Sequence, residues 1–314
     1  MRVLITGGAG FIGSHVAELC LKDGHYTVVL DNLSTGTMDN VPDGAVFYKE
    51  DICSQTVSEI LAREKVDIVF HHAAQIDVQT SVKDPQADAM INIMGTINLL
   101  EACKQAGTRK VVYASSAALY GDPCYLPVDE NHPLQPQSCY GVSKHVPEQY
   151  LQVYSRLHGL DFTVLRYANV YGPRQAISGE GGVVAIFINA LLAGQAPQIF
   201  GDGEQTRDFV FVEDVARANL AAIYQGSGQV VNISTGKATT VSELYKIVKA
   251  SCQVDCNPEY RPERPGDIRH SYLDSSKAQA ILNWKPLVSL TQGIKQTVEY
   301  YRPRNKIVSK VQVS

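Results

Sequence analysis

The sequence predicts an α/β protein, a doubly wound parallel sheet with a smaller C-terminal cap. Three observations carry that prediction. Short apolar, β-rich runs alternate with helical patterns through the first half. The first run breaks into glycines and then into a helical pattern. After Arg166 the alternation gives way to turns, short strands and a proline-rich, charged stretch at 258–267, which reads as a surface or ligand-facing loop.

The elements follow in order. Residues 3–5 are apolar and read as a buried parallel strand, and a helix is expected from about Gly13 through His15, Val16, Leu19 and Cys20. Further strands are expected at 26–30, 46–48, 68–70, 110–114 and 162–165, and helices near 55–64, 86–106 and 140–158. The helix at 86–106 carries Ile91, Met94, Ile97, Leu99 and Leu100, a face wide enough to bury against the sheet or against another subunit. Gly172-Pro173-Arg174 reads as a turn and 177–182 as a small-residue loop. Helices are then expected near 183–193, 213–225, 241–251 and 290–302, with a frayed tail at 303–314. The reading gives a nucleotide-binding domain at 1–174, with 201–251 returning to its sheet, and a substrate-binding cap from 175–200 and 252–302.

Composition narrows the function. The 314 residues can bury a large core, and 45% hydrophobic with 19% charged residues suits a globular protein. A net charge of −4 gives no electrostatic case for nucleic acid or an anionic membrane. No apolar stretch approaches a membrane span, and the first residues already belong to the first strand, so no signal peptide is expected. The seven cysteines are scattered and read as reduced, buried thiols of a cytoplasmic protein. Cys252 and Cys256 lack a second pair to complete a zinc site. His71 and His72 are adjacent strand residues that point to opposite faces, so they read as structural and no metal is expected.

The chemistry-bearing residues follow strands. Gly8, Gly10 and Gly13 fit G-x-G-x-x-G, and Gly7, Gly10 and Gly13 fit G-x-x-G-x-x-G. Residues without a Cβ let the backbone approach a pyrophosphate, and the N–H groups at the helix start face the anion. Asp31 closes the second strand, where an acid accepts hydrogen bonds from a ribose 2′-OH and repels a 2′-phosphate. The cofactor implied is NAD, not NADP. Tyr140 and Lys144 stand one helical turn apart on one face. A neighbouring ammonium favours the phenolate, so the pair suits a general base for an alcohol or sugar hydroxyl, with Ser116 holding the same oxygen.

The ordered set of motifs resembles the extended short-chain dehydrogenase/reductase family over nearly the whole chain, most closely its UDP-glucose (UDP-galactose) 4-epimerase branch. The resemblance rests on residues 6–13, Asp31-Asn32, Asp51-Ile52, His72-Ala73-Ala74, Asn92, Ser115-Ser116 and Tyr140-x-x-x-Lys144. It continues through Leu165-Arg166-Tyr167-x-Asn169, Gly201-Asp202-Gly203, Arg207-Asp208 and Arg264-Pro265-Gly266-Asp267. It implies a Rossmann-type sheet with tightly bound NAD. Gly7, Gly10, Phe11, Ile12 and Gly13 would receive the pyrophosphate, Asp31 and Asn32 the adenosine ribose, and Asp51 and Ile52 the adenine. Ala73, Ala74, Asn92, Ser115 and Tyr167 would complete the cofactor site, with Lys144 on the nicotinamide ribose. Asn169, Val183, Phe200, Arg207, Arg264, Asp267 and Ser271 would hold a UDP-sugar beside Ser116 and Tyr140. A homodimer, made by a four-helix bundle from 86–106 and 140–158 of two copies, is implied as well.

The chain departs from the family pattern in places. Ala118 stands where many epimerases have threonine, Ile76 where some relatives have lysine, and Cys139 where proline is frequent. Ala117-Ala118 also lacks the acids that related dehydratases and decarboxylases carry there, which disfavours both. A uronate 4-epimerase stays open, with Arg174 or a cap arginine to bind the carboxylate. A non-catalytic NAD-binding scaffold or redox sensor is the alternative outside enzymes. Ser271, four residues beyond Asp267, falls where members restricted to plain hexoses carry tyrosine, so the resemblance implies room for an N-acetyl group at the sugar C2.

Overall fold

The computed structural model describes residues 1–176, 182–263 and 268–311, with side chains through residue 302. Seven parallel strands form the central sheet. β1 (Arg2–Thr6), β2 (Tyr26–Asp31), β3 (Val46–Lys49), β4 (Ile68–His71), β5 (Lys110–Ser116) and β6 (Asp161–Tyr167) appear in chain order. Four short strands follow β6 before the sheet is rejoined: β7 (Asn169–Tyr171), β8 (Gln198–Phe200), β9 (Thr206–Arg207) and β10 (Phe209–Phe211). The last member of the sheet is β11 (Gln229–Ile233), and the spatial order is β3-β2-β1-β4-β5-β6-β11. The order reverses between β1 and β4, which opens a crevice at their carboxyl ends.

Successive strand residues face opposite layers. Val3 and Ile5 join Val29, Phe70, Val112 and Leu165 on one face, under α1 (Phe11–Lys22). Leu4, Val28, Leu30, Val69, Val111 and Tyr113 line the other face, under α2 (Thr56–Glu64) and two later helices. On that second face the chain after β4 forms α3 (Val78–Lys83), capped by Asp77, and α4 (Pro85–Ala89), capped by Asp84 with Pro85 at its first position. Then come a π-turn (Met90–Met94) and α5 (Gly95–Ala106). The segment read as one helix over 86–106 is helical throughout, widened in its middle by the π-turn. The wider π-turn carries the buried Asn92, whose side chain bonds Gln75, Asp88 and Ser143. The long helix α6 (Cys139–His158) begins at Ser138, whose hydroxyl accepts from Gly141 N–H at 3.1 Å.

A third cluster lies apart from the sheet. It is built by α7 (Val183–Leu192), α9 (Val241–Cys252) and α11 (Leu290–Val311), through residues such as Phe187, Leu191, Leu244, Val248, Ile294 and Val298. Between them, α8 (Val212–Ala221) packs on α1, and α10 (Ser276–Leu282) packs on β11. The layers divide the chain differently from the sequence reading. Helix α9, grouped there with the sheet, belongs to the third cluster. Ala278, Leu282 and Trp284, grouped there with the cap, pack into the sheet's first face. No helix among the described residues is long and apolar enough to cross a membrane. All seven cysteines are free, but Cys53, Cys124 and Cys139 are exposed, against the expectation of buried thiols.

Candidate active site

The turn from β1 into α1 is shaped by two glycines. Gly7 has φ +68°, and a Cβ there would come within 2.7 Å of the Ala73 nitrogen. A Cβ on Gly13 would overlap the Gly7 carbonyl oxygen. Helix α1 begins at Phe11, two residues before the expected start, because Gly10 takes an extended conformation and serves as the N-cap. No side chain caps that end, so the first N–H groups, at Phe11, Ile12 and Gly13, point out of the turn. The cradle fits a dinucleotide pyrophosphate.

The adenosine end follows β2 and β3. Asp31 is buried and accepts from Ala9 N–H at 3.0 Å and Leu33 N–H at 2.8 Å. Each carboxylate oxygen keeps a second lone pair for a ribose hydroxyl. Asn32 donates to Asp51 at 2.8 Å. The Cys53 N–H, with help from Asn32, holds the Asp51 carboxyl below its ordinary range. Ile52 is buried against Gly95, where a Cβ would come within 2.7 Å of it.

At the end of β4, His71 is pinned between Thr6 Oγ1 at 2.8 Å and Thr96 Oγ1 at 2.9 Å. His72 faces the other way, toward Tyr167 OH at 3.3 Å. Burial and the Lys144 charge push His72 down to about 3, so both rings are neutral structural groups. Ala73 N–H donates to Thr6, and Ala74 continues the segment along the crevice. Ile76 is exposed.

Beyond β5 and β6 the side chains divide into two sets. Ser116 caps a short 3₁₀ turn (Ala117–Leu119), accepting from Ala118 N–H at 3.2 Å, with its hydroxyl proton free to point elsewhere. Tyr140 is half-buried in the first turn of α6, its N–H bonded to Ser81 at 3.0 Å. Lys144, one turn on, is buried with its ammonium 4.6 Å from the centre of the Tyr113 ring. Three other expected cofactor residues already have their side chains engaged. Asn92 bonds protein groups, as described above. Ser115 donates to Glu148 at 2.6 Å, and the Tyr167 hydroxyl pairs with Asn219 at 2.8 Å.

The described members of the expected substrate set are spread over segments that follow β6. Asn169 is exposed at the start of β7, and Val183 opens α7. Phe200 ends β8, and Arg207 lies on β9 with Nη1 donating to the Thr206 carbonyl at 2.9 Å. Ser271 is half-buried, its N–H bonded to Thr206 O at 3.2 Å. Arg264 and Asp267 lie outside the described residues. Arg174 does not face the cap: its guanidinium bonds Ser14 at 3.2 Å and Glu18 at 2.8 Å, both on α1.

A buried network that the sequence reading did not single out stands behind Tyr140. Glu148 accepts two bonds from Arg166, at 3.0 and 2.6 Å, and one from Ser115. Burial opposes the charge on Glu148, and the bonds from His145, Arg166 and Ser115 overcome it, holding the carboxyl below its ordinary value. Arg166 also donates to Tyr120 OH at 2.9 Å, which donates to Asn232 at 2.7 Å. The signal was present in the spacing: Tyr140, Lys144 and Glu148 recur every four residues and share one face of α6.

A family model described as the NAD dependent epimerase/dehydratase family matches residues 3–234. The chain belongs to that family. The UDP-glucose 4-epimerase of Mycolicibacterium smegmatis is 45% identical over 98% of this chain and 100% of its own length. The structure of a UDP-glucose 4-epimerase from Thermotoga maritima with UDP-glucose has a TM-score of 0.95 and 45% identity, covering 97% of this chain and 100% of that one. A UDP-N-acetylglucosamine 4-epimerase from Methanobrevibacter ruminantium, in complex with UDP-N-acetylmuramic acid, gives a TM-score of 0.93 at 36% identity, covering 96% and 98%.

Proposed function

We propose that the chain is a UDP-hexose 4-epimerase, interconverting UDP-glucose and UDP-galactose through a 4-keto intermediate. The observation that carries this reading is Tyr140 on α6 with the buried Lys144 one turn on, beside the β1–α1 cradle. Bound NAD supplies reversible hydride exchange with the sugar C4. Tyr140, as phenolate, takes the proton of the sugar 4-OH, and Ser116 holds the same oxygen. The diphosphate stays anchored by Arg207, Arg264 and Asn169 while the keto sugar turns over. Tyr140 then returns the proton after reduction from the other face. With Ala117-Ala118 at the turn, no acid drives elimination. Arg174 is committed to Glu18, so it gives no support to a uronate reading. The test is to incubate the purified protein with a panel of nucleotide sugars without added NAD and to resolve the products. Conversion of UDP-galactose to UDP-glucose is expected, and no conversion of any UDP-hexose would refute the reading.

Sugar scope follows from Ser271. Its segment runs between two bridges, His270 to Thr206 and Leu273 to Val128. The small residue leaves space at the sugar C2, and the enzyme accepts UDP-GlcNAc and UDP-GalNAc as well. Ser271→Tyr is expected to suppress turnover of UDP-GalNAc while sparing UDP-galactose. Equal losses on both substrates, or a wild-type protein inactive on UDP-GalNAc, would overturn it.

A homodimer is part of the same reading. Met90 and Met94 form one exposed stripe, and Tyr150, Val153 and Leu157 of α6 form another beside it. A two-fold contact pairing this patch with its copy would cover both. Light scattering at micromolar concentration is expected to give twice the chain mass, and a monomer mass would exclude it.

A further inference from the structure

Four charged side chains are buried on three elements packed around one another, α4, α6 and β6: Lys144 and Arg166 at 4% exposure, Asp88 at 1% and Glu148 at 0%. Glu148 and Arg166 satisfy each other through two charge-assisted bonds. That pair sums to zero, so the Lys144 ammonium needs another anion to leave the buried group neutral. A buried charge without a partner is strongly disfavoured.

Asp88 supplies that charge. It lies on α4, which packs against α6. Its Oδ1 accepts from Gln75 Nε2 at 2.8 Å and from Asn92 Nδ2 at 3.1 Å. Both partners are neutral donors, so neither cancels a charge. No ion pair joins Asp88 to a basic group among the described residues. Asn92 also donates to Ser143, the residue before Lys144, which fixes α4 against the turn that carries the lysine.

We propose that Asp88 is the counter-ion that keeps the Lys144 ammonium charged beside Tyr140, a positioning residue that acts through the lysine. The groups facing Lys144 are Tyr140 and Glu148 from α6, Asp88 from α4, His71 and His72 from β4, and Tyr113 from β5. The histidines are kept neutral by burial, and burial raises the Tyr113 phenol well above its ordinary value, so it stays protonated. Glu148 and Asp88 are the anions that remain. Burial already brings Lys144 down to about 8 against the pull of both carboxylates. Removing one negative charge disfavours the ammonium further, so the lysine would lose its proton nearer neutrality.

The inference rests on Lys144 as the partner of the base, and its test does not depend on turnover. The purified holoenzyme is labelled with ¹³Cε-lysine, and the buried signal, identified by its loss in Lys144→Met, is titrated by NMR. The wild-type midpoint is expected near 8. Asp88→Asn, or Asp88→Ser if the amide variant does not fold, should lower it by about one pH unit, and Asp88→Glu should restore it. An unchanged midpoint in a folded neutral variant would overturn the proposal. A protein that shows this shift yet epimerises no UDP-hexose would leave Asp88 assigned and refute only the substrate reading.

Discussion

Tyr140→Phe is expected to lower turnover of UDP-galactose by about 10²–10⁴, the usual consequence of losing a general base. The substitution removes one oxygen and leaves the ring. The N–H of residue 140 still bonds Ser81, and Ser138 still caps the helix, so α6 keeps its place. The β1–α1 cradle and Asp31 are untouched, so the purified variant should carry as much NAD as the wild type, read by its release on denaturation. Loss of turnover with retained cofactor assigns the proton transfer to this phenol. A variant keeping more than about a tenth of wild-type turnover would return that role to Ser116 or to solvent.

Arg166→Met is expected to destabilise the protein by about 3–5 kcal/mol, because it strands Glu148 as a buried, unpaired carboxylate. The double variant Arg166→Met/Glu148→Gln removes both charges. Lys144 and Asp88 then balance one another, and most of the stability should return. Urea unfolding of the wild type, both single variants and the double variant measures this as one cycle. A double variant no more stable than Arg166→Met would show that the bonds to Tyr120 and Ser115, and not the charge balance, dominate at this position.

Residues that act through local spacing could be read directly from the chain. The glycine turn, Asp31 after the second strand and the Tyr140–Lys144 pair each lie within one strand-turn-helix unit or one helical turn, where sequence distance and spatial distance agree. The charged group behind Tyr140 could not be read that way. Asp88, Glu148 and Arg166 come from α4, α6 and β6, and only the topology of the sheet brings them together. The π-turn at Met90–Met94 was hidden because apolar periodicity over so short a stretch does not separate a π-turn from an α-helix. Arg174 was left open as one possible carboxylate partner, but the turn that holds it at φ +70° aims it back at α1. The division between sheet and cap failed at α9 for a similar reason: an amphipathic helix declares that it has an apolar face, not which layer will cover it.

The third cluster has a consequence for the order in which a newly made chain can take shape. Strands β1 to β3, which carry the pyrophosphate turn and Asp31, are complete by Lys49. The apolar face of α7 must wait for partners on α9 and on α11, both of which follow it in the chain. Asp214 on α8 likewise receives the N–H groups of Leu287 and Val288 only when that final segment arrives. During synthesis the dinucleotide half therefore emerges first, while Phe187, Ile188 and Leu191 remain uncovered until the end. A chain that ends before residue 290 lacks Ile294 and Val298, and the apolar face of α7 loses that cover.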